Sequence, residues 1–147
     1  MASFRFERRI AAPPATVFEV LTDHRGYPAI TPLRAVELER EGEPAPNGVG
    51  AIRVLRAVGP PLREEVIAYR PPSRFSYRLL SGAPVRDHVG TVELEPEGEG
   101  TRAVYVVRTI PTVPLIGSAV VAVVKRAVAS LFEGIAAEAE RRAAANA

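Results

Sequence analysis

Arg9-Ile-Ala-Ala-Pro-Pro-Ala-Thr-Val-Phe-Glu-Val-Leu-Thr-Asp23 holds the end of a strand, a proline-marked helix start and a helix end within fifteen residues. Just before it, Phe4, Phe6, Arg8 and Ile10 alternate with Ser3, Arg5, Glu7 and Arg9, the period of a strand with one mostly apolar face. Pro13 and Pro14 end that strand. Proline holds φ near the helical value and lacks an N–H that the first helical turn leaves unpaired anyway. A helix running to Thr22 is therefore expected, with Val17, Phe18 and Leu21 as its apolar stripe.

Downstream, Pro28 and Pro32 leave room for one short helical turn at most. From Leu33 the period changes to two: Val36 and Leu38 alternate with Glu37, Glu39 and Glu41 until the loop Gly42–Gly48. Further strands are expected over Ala51–Val58, Arg63–Tyr69, Arg74–Leu80, Val85–Glu95 and Thr101–Ile110, separated by short links rich in proline and glycine. Consecutive strands with short links pair antiparallel, and such a sheet keeps one face dry only if something covers it. The cover is a long helix from Pro114 to Ala144, whose Val120, Val121, Val124, Val128, Leu131 and Ile135 fall on one side. Gly117 and Gly134 inside it imply a close approach or a bend. The polar turns Glu138–Arg142 are expected to run past the sheet.

The composition narrows the function classes. A chain of 147 residues suits one domain with a single core. It has no cysteine, so disulfides and thiolate chemistry are excluded and a cytoplasmic location is the default expectation. The N-terminus lacks the apolar run of a secretory signal. The longest apolar run, Val113–Val124, falls well short of the ~20 residues of a membrane-spanning helix. Net charge is +2, with arginines and glutamates interleaved as in Glu37–Glu41, which suits a salt-bridged surface and argues against a nucleic-acid partner. There is no Gly-x-Ser-x-Gly, no phosphate-binding glycine loop and no metal-ligand spacing around His24 or His88, so neither a metal nor any other cofactor is called for. No pattern assigns an oligomeric state.

Strand, two short helical pieces, six consecutive antiparallel strands and one long terminal helix is the order of the helix-grip fold. The chain resembles the START-like superfamily, also called SRPBCC, in its polyketide cyclase/dehydrase and lipid-transport branch, akin to plant abscisic-acid receptors and birch-pollen-type allergens. The matching pieces are Ile10–Asp23, Gly48–Arg53, Leu62–Val66 with Tyr69–Phe75, and Gly100–Arg102, and together they span nearly the whole chain. The resemblance implies an α+β fold in which a curved seven-stranded antiparallel sheet wraps around the C-terminal helix. It also implies a cavity between them for a lipid, polyketide or other small apolar molecule. The loops Val58–Leu62 and Ser81–Pro84 stand where the receptors carry gate and latch. The latch lacks their His-Arg-Leu, so a hormone-sensing function is not carried over.

Several residues are candidates for the cavity. In the receptors a glutamate at the position of Glu64 points into the cavity; by parity Val66 and Ala68 share its face, with Glu65, Ile67 and Tyr69 opposite. Arg53, in parity with Leu55, is the candidate partner of that carboxylate, since an isolated buried charge is costly; an exposed surface pair is the alternative. Tyr77 and Tyr105 sit among alternating apolar residues, as core or as cavity wall with one polar end. Counting back from Val92 and Leu94 puts Gly90, His88 and Arg86 inward unless a bulge intervenes. His88 is thus a cavity-mouth residue or a surface one, and His24 a helix-end side chain. Val124, Val128 and Leu131 complete the wall from the helix. The leading expectation is a non-catalytic binder or carrier, the alternative a polyketide cyclase or dehydratase with no assigned catalytic residue. A third reading is an interaction module with a filled core.

Overall fold

The computed structural model describes all residues, 1–147. In chain order the elements are β1 (Ala2–Ile10), α1 (Pro14–Thr22), a 3-10 helix (His24–Ala29), β2 (Ala35–Arg40), β3 (Ile52–Arg56), β4 (Leu62–Arg70), β5 (Arg74–Ser81), β6 (Val85–Glu97), β7 (Gly100–Pro111) and α2 (Gly117–Ala145). The strands form one antiparallel sheet in the order β1-β7-β6-β5-β4-β3-β2. β2 to β7 follow one another as a meander, and β1 closes onto β7. The two short helices carry the chain from one edge of the sheet to the other. The curved sheet, long C-terminal helix and two short helices are the expected helix-grip architecture. No helix is long and apolar enough to cross a membrane.

One end of the molecule is tightly packed. All the buried residues of α2, namely Val128, Phe132, Ile135, Ala136 and Ala139, lie from Val128 onward. There the Phe132 ring meets Tyr105 edge-on at 5.6 Å and Phe6 at 6.5 Å. α1 packs against the same stretch and buries Val17, Phe18, Val20, Leu21 and Thr22. Before Val128, the helix from Gly117 to Ala127 buries no residue at all. The helix grips the sheet at one end and stands off at the other.

Four expectations need correction. The helix begins at Gly117 instead of Pro114: Leu115, at a φ of 71°, turns the chain before it. The turns after Glu138 do not run past the sheet. Glu140 accepts the Ala11 N–H at 2.9 Å and pairs with Arg8, while Arg142 reaches Glu19 of α1 at 3.7 Å, so charge pairs tie this polar end to β1 and α1. A β-bulge between Val66 and Ala68 flips the parity of β4. Tyr69 therefore turns inward to meet Phe18 at 5.3 Å, and Ala68 leaves the face of Glu64 and Val66. A second bulge at Asp87, whose φ is 49°, keeps His88 inward but turns Arg86 out to solvent.

Gly117 opens the helix instead of lying inside it, whereas Gly134 marks a close approach. A Cβ there would collide with the main-chain carbonyl oxygen of Ile30, which cannot swing away as a side chain would. Gly134→Ala should thus lower the unfolding free energy by about 1–3 kcal/mol, although alanine is the better helix former by ~1 kcal/mol. Urea denaturation would read the sign.

Candidate functional site

Where α2 stands off, a cavity of about 450 Å³ remains. The sheet supplies Leu55 and Ala57 from β3 and its turn, Leu62 and Glu64 from β4, Tyr77 and Leu79 from β5, and Val85 and His88 from β6. The first half of α2 forms the opposite wall with Val124, Val128 and Leu131, and Thr31 to Leu33 close one side. Of its 19 lining residues 13 are hydrophobic, so the wall offers mainly apolar surface. Val123, 69% exposed, and Arg126 stand at the mouth. A hollow of about 470 Å³ on the outer face of the sheet is unlike it. Arg74, Asp87, Glu93 and Arg108 line that hollow, and Arg74 pairs with Glu93 at 3.2 Å.

The polar groups gather at the closed end. Arg53 is 1% exposed and Glu64 7%. Arg53 donates to Glu64 Oε1 from Nε at 3.0 Å and from Nη2 at 2.8 Å, while its guanidinium lies over the rings of Phe75 at 5.4 Å and Tyr77 at 4.9 Å. Burial is the largest influence on the Arg53 cation and works against it, but Glu64, Tyr27 and Tyr77 together outweigh it and the guanidinium stays above its ordinary value. The two side chains form a buried ion pair. The Tyr77 and Tyr105 hydroxyls bond to each other, and burial pushes both well up, so both are neutral. Gly90 lies under the Tyr77 ring, in space that a Cβ would occupy. His88 is 6% exposed, lies 6.3 Å from the Tyr77 ring, and its Nδ1 has no protein partner.

Of the sequence candidates, Leu55, Glu64, Tyr77, His88, Val124, Val128 and Leu131 line the cavity. Arg53, Val66 and Tyr105 do not. They lie behind the wall: Arg53 is drawn under Glu64 and the aromatic rings, and Tyr105 is capped by Phe132. His24 is the largest departure. The 3-10 helix tucks its ring between Tyr27 and Phe75, at 5.4 and 5.5 Å, where Nε2 accepts from Arg53 Nη1. Its Nδ1 faces Asn47 without meeting a hydrogen-bond partner. Tyr27 beneath it donates to the Leu21 carbonyl, and burial lifts its phenol to about 12. Nothing in the periodicity distinguishes a turn histidine of this kind. Leu62 and Leu79, by contrast, share parity with Glu64 and Tyr77 and were within reach of the same counting.

Both histidines are held below their ordinary value of 6.5, His24 far below it, by burial first and, for His24, by the Arg53 charge second. The native state resists their protonation while the unfolded chain does not. Stability should therefore decline as the pH falls below 6.5, by up to about 1.4 kcal/mol per pH unit for each histidine. Denaturation midpoints at successive pH values from neutral to mildly acid would measure the slope. An unchanged midpoint would contradict burial of both rings.

A family model described as polyketide cyclase / dehydrase and lipid transport matches residues 1–140. Among solved structures, the Zhui aromatase/cyclase from Streptomyces sp. R1128 is similar at a TM-score of 0.83 and 22% identity, over 96% of this chain and 94% of that one. Ara h 8.0201 is similar at 0.78 and 17%, over 94% and 97%. A START superfamily protein from Mycobacterium smegmatis is similar at 0.74 and 16%, over 99% of both chains. No curated protein matches. At these identities the structures share the fold, and the family match extends over nearly the whole sequence. The chain belongs to the polyketide cyclase / dehydrase and lipid transport family.

Proposed function

We propose that the chain acts as one domain that binds or carries a small hydrophobic molecule between its sheet and α2. The observation that carries this reading is the apolar cavity of about 450 Å³ under the first half of α2, where a filled core would have left no space. That volume lies within the ~300–1,000 Å³ usual for small-molecule sites. Its polar groups are few and collected at one end, which suits orientation of a ligand more than chemistry upon it. Glu64, the one acidic group in the wall, is committed to Arg53 and is a poor general base. The cyclase reading rests on His88, the one histidine in the cavity wall, whose imidazole could move a proton at the ligand.

Native mass spectrometry of the purified protein tests the carrier reading. A co-purified mass released on collisional activation, or uptake of the neutral fluorophore N-phenyl-1-naphthylamine, is the expected result. Failure to retain or take up any apolar molecule would overturn it. Turnover of a polyketide substrate that His88→Gln abolishes, with ligand uptake intact, would favour the cyclase reading instead.

A further inference from the structure

We infer that the closed end of the cavity selects an uncharged ligand carrying a hydroxyl or similar hydrogen-bond donor, and rejects carboxylates. Glu64 is the determinant. The inference rests on the binding reading above and adds the chemical class of the ligand. Arg53 is the only arginine or lysine buried as a whole residue, and it is neutralised from within the protein. Both of its bonds to Glu64 end on Oε1, which leaves Oε2 for an entering group on a residue that lines the cavity. A carboxylate oxygen only accepts, so what meets Oε2 must donate. Beside it the His88 ring lines the same cavity, while the hydroxyls of Tyr77 and Tyr105 satisfy each other. A ligand hydroxyl can donate to Glu64 and turn its oxygen toward His88. An entering carboxylate would instead place a second negative charge beside Glu64, with no free buried cation to offset it.

Competition against N-phenyl-1-naphthylamine, read by its fluorescence, separates these terms. Decanol is compared with decyl methyl ether, which is neutral and cannot donate, and with decanoate at a pH where it is ionised. In the native protein decanol should displace the fluorophore at a concentration about ten-fold lower than the ether. In Arg53→Met/Glu64→Leu, which removes both charges and leaves neither unpaired, that advantage should disappear while the fluorophore still binds. Glu64→Gln exposes the Arg53 charge to the cavity, so decanoate should compete roughly ten-fold better than against the native protein. Comparing the same ligand between two proteins cancels any contribution of Arg126 at the mouth. Equal competition by decanol and the ether in the native protein, or a decanoate midpoint unmoved by Glu64→Gln in folded protein, would overturn the inference and leave the carrier reading standing. No uptake of the fluorophore would remove both.

Discussion

Arg53→Met is expected to lower the unfolding free energy by about 3–5 kcal/mol, or Tm by roughly 10 °C. The size follows from what remains behind rather than from what the ion pair contributes. Without the guanidinium, Glu64 is a carboxylate 7% exposed with no opposite charge, and His24 Nε2 loses its donor. The stacking over Phe75 and Tyr77 goes as well. Arg53→Lys should recover little, because one ammonium cannot fork between Glu64 and His24 while lying flat on two rings. Arg53→Met/Glu64→Leu should recover much of the loss, since replacing both members of a buried pair leaves no orphan charge. Thermal unfolding of the single and double variants would check this. A single variant as stable as the native chain would mean that Arg53 reaches water.

The second large effect has the opposite sign on stability. In a close-packed core, Val124→Trp would add bulk with nowhere to go and cost about 1–3 kcal/mol. Val124 instead faces the cavity, so the indole should enter empty space and leave stability unchanged or raised by about 0.5–2 kcal/mol. Ligand uptake should fall at least about ten-fold, because the indole takes the volume that the ligand needs. Combined with Leu79→Trp from the facing wall, the loss should be close to complete. The chain has no tryptophan of its own, so the emission of the introduced indole also reports whether it sits in an apolar site. A destabilised Val124→Trp with red-shifted emission would indicate that no hollow receives it.

Much of the architecture was legible because its signals are local and periodic. Phe4 to Ile10, the Pro13-Pro14 start of α1 and the alternation along each later strand declare their elements without knowledge of their partners. The apolar side of α2 was equally legible, but one stripe serves two ends. From Phe132 onward it fills a core, whereas Val124, Val128 and Leu131 look into a cavity, and no difference in residue type separates the two. Whether space remains is decided by how far the helix stands from the sheet, a property of the whole packing.

Parity carried the site inference as far as the bulges allowed. The resemblance put Glu64 on the inner face and parity added Val66 and His88, then failed at Arg86 and Tyr69, where one extra residue reverses everything beyond it. His24 escaped for another reason. Its place depends on a 3-10 helix folding back against β2, and only the tertiary arrangement brings its ring to Arg53.

An apolar ligand entering the space between the sheet and the first half of α2 should be visible by methyl NMR on leucine- and valine-labelled protein titrated with decanol. Saturable shifts are expected at Leu55, Leu62, Leu79, Val124, Val128 and Leu131, with Val89, Val104 and Val106 around the outer hollow unmoved. Shifts confined to that outer face, or none at any concentration below decanol's solubility, would contradict binding in that space.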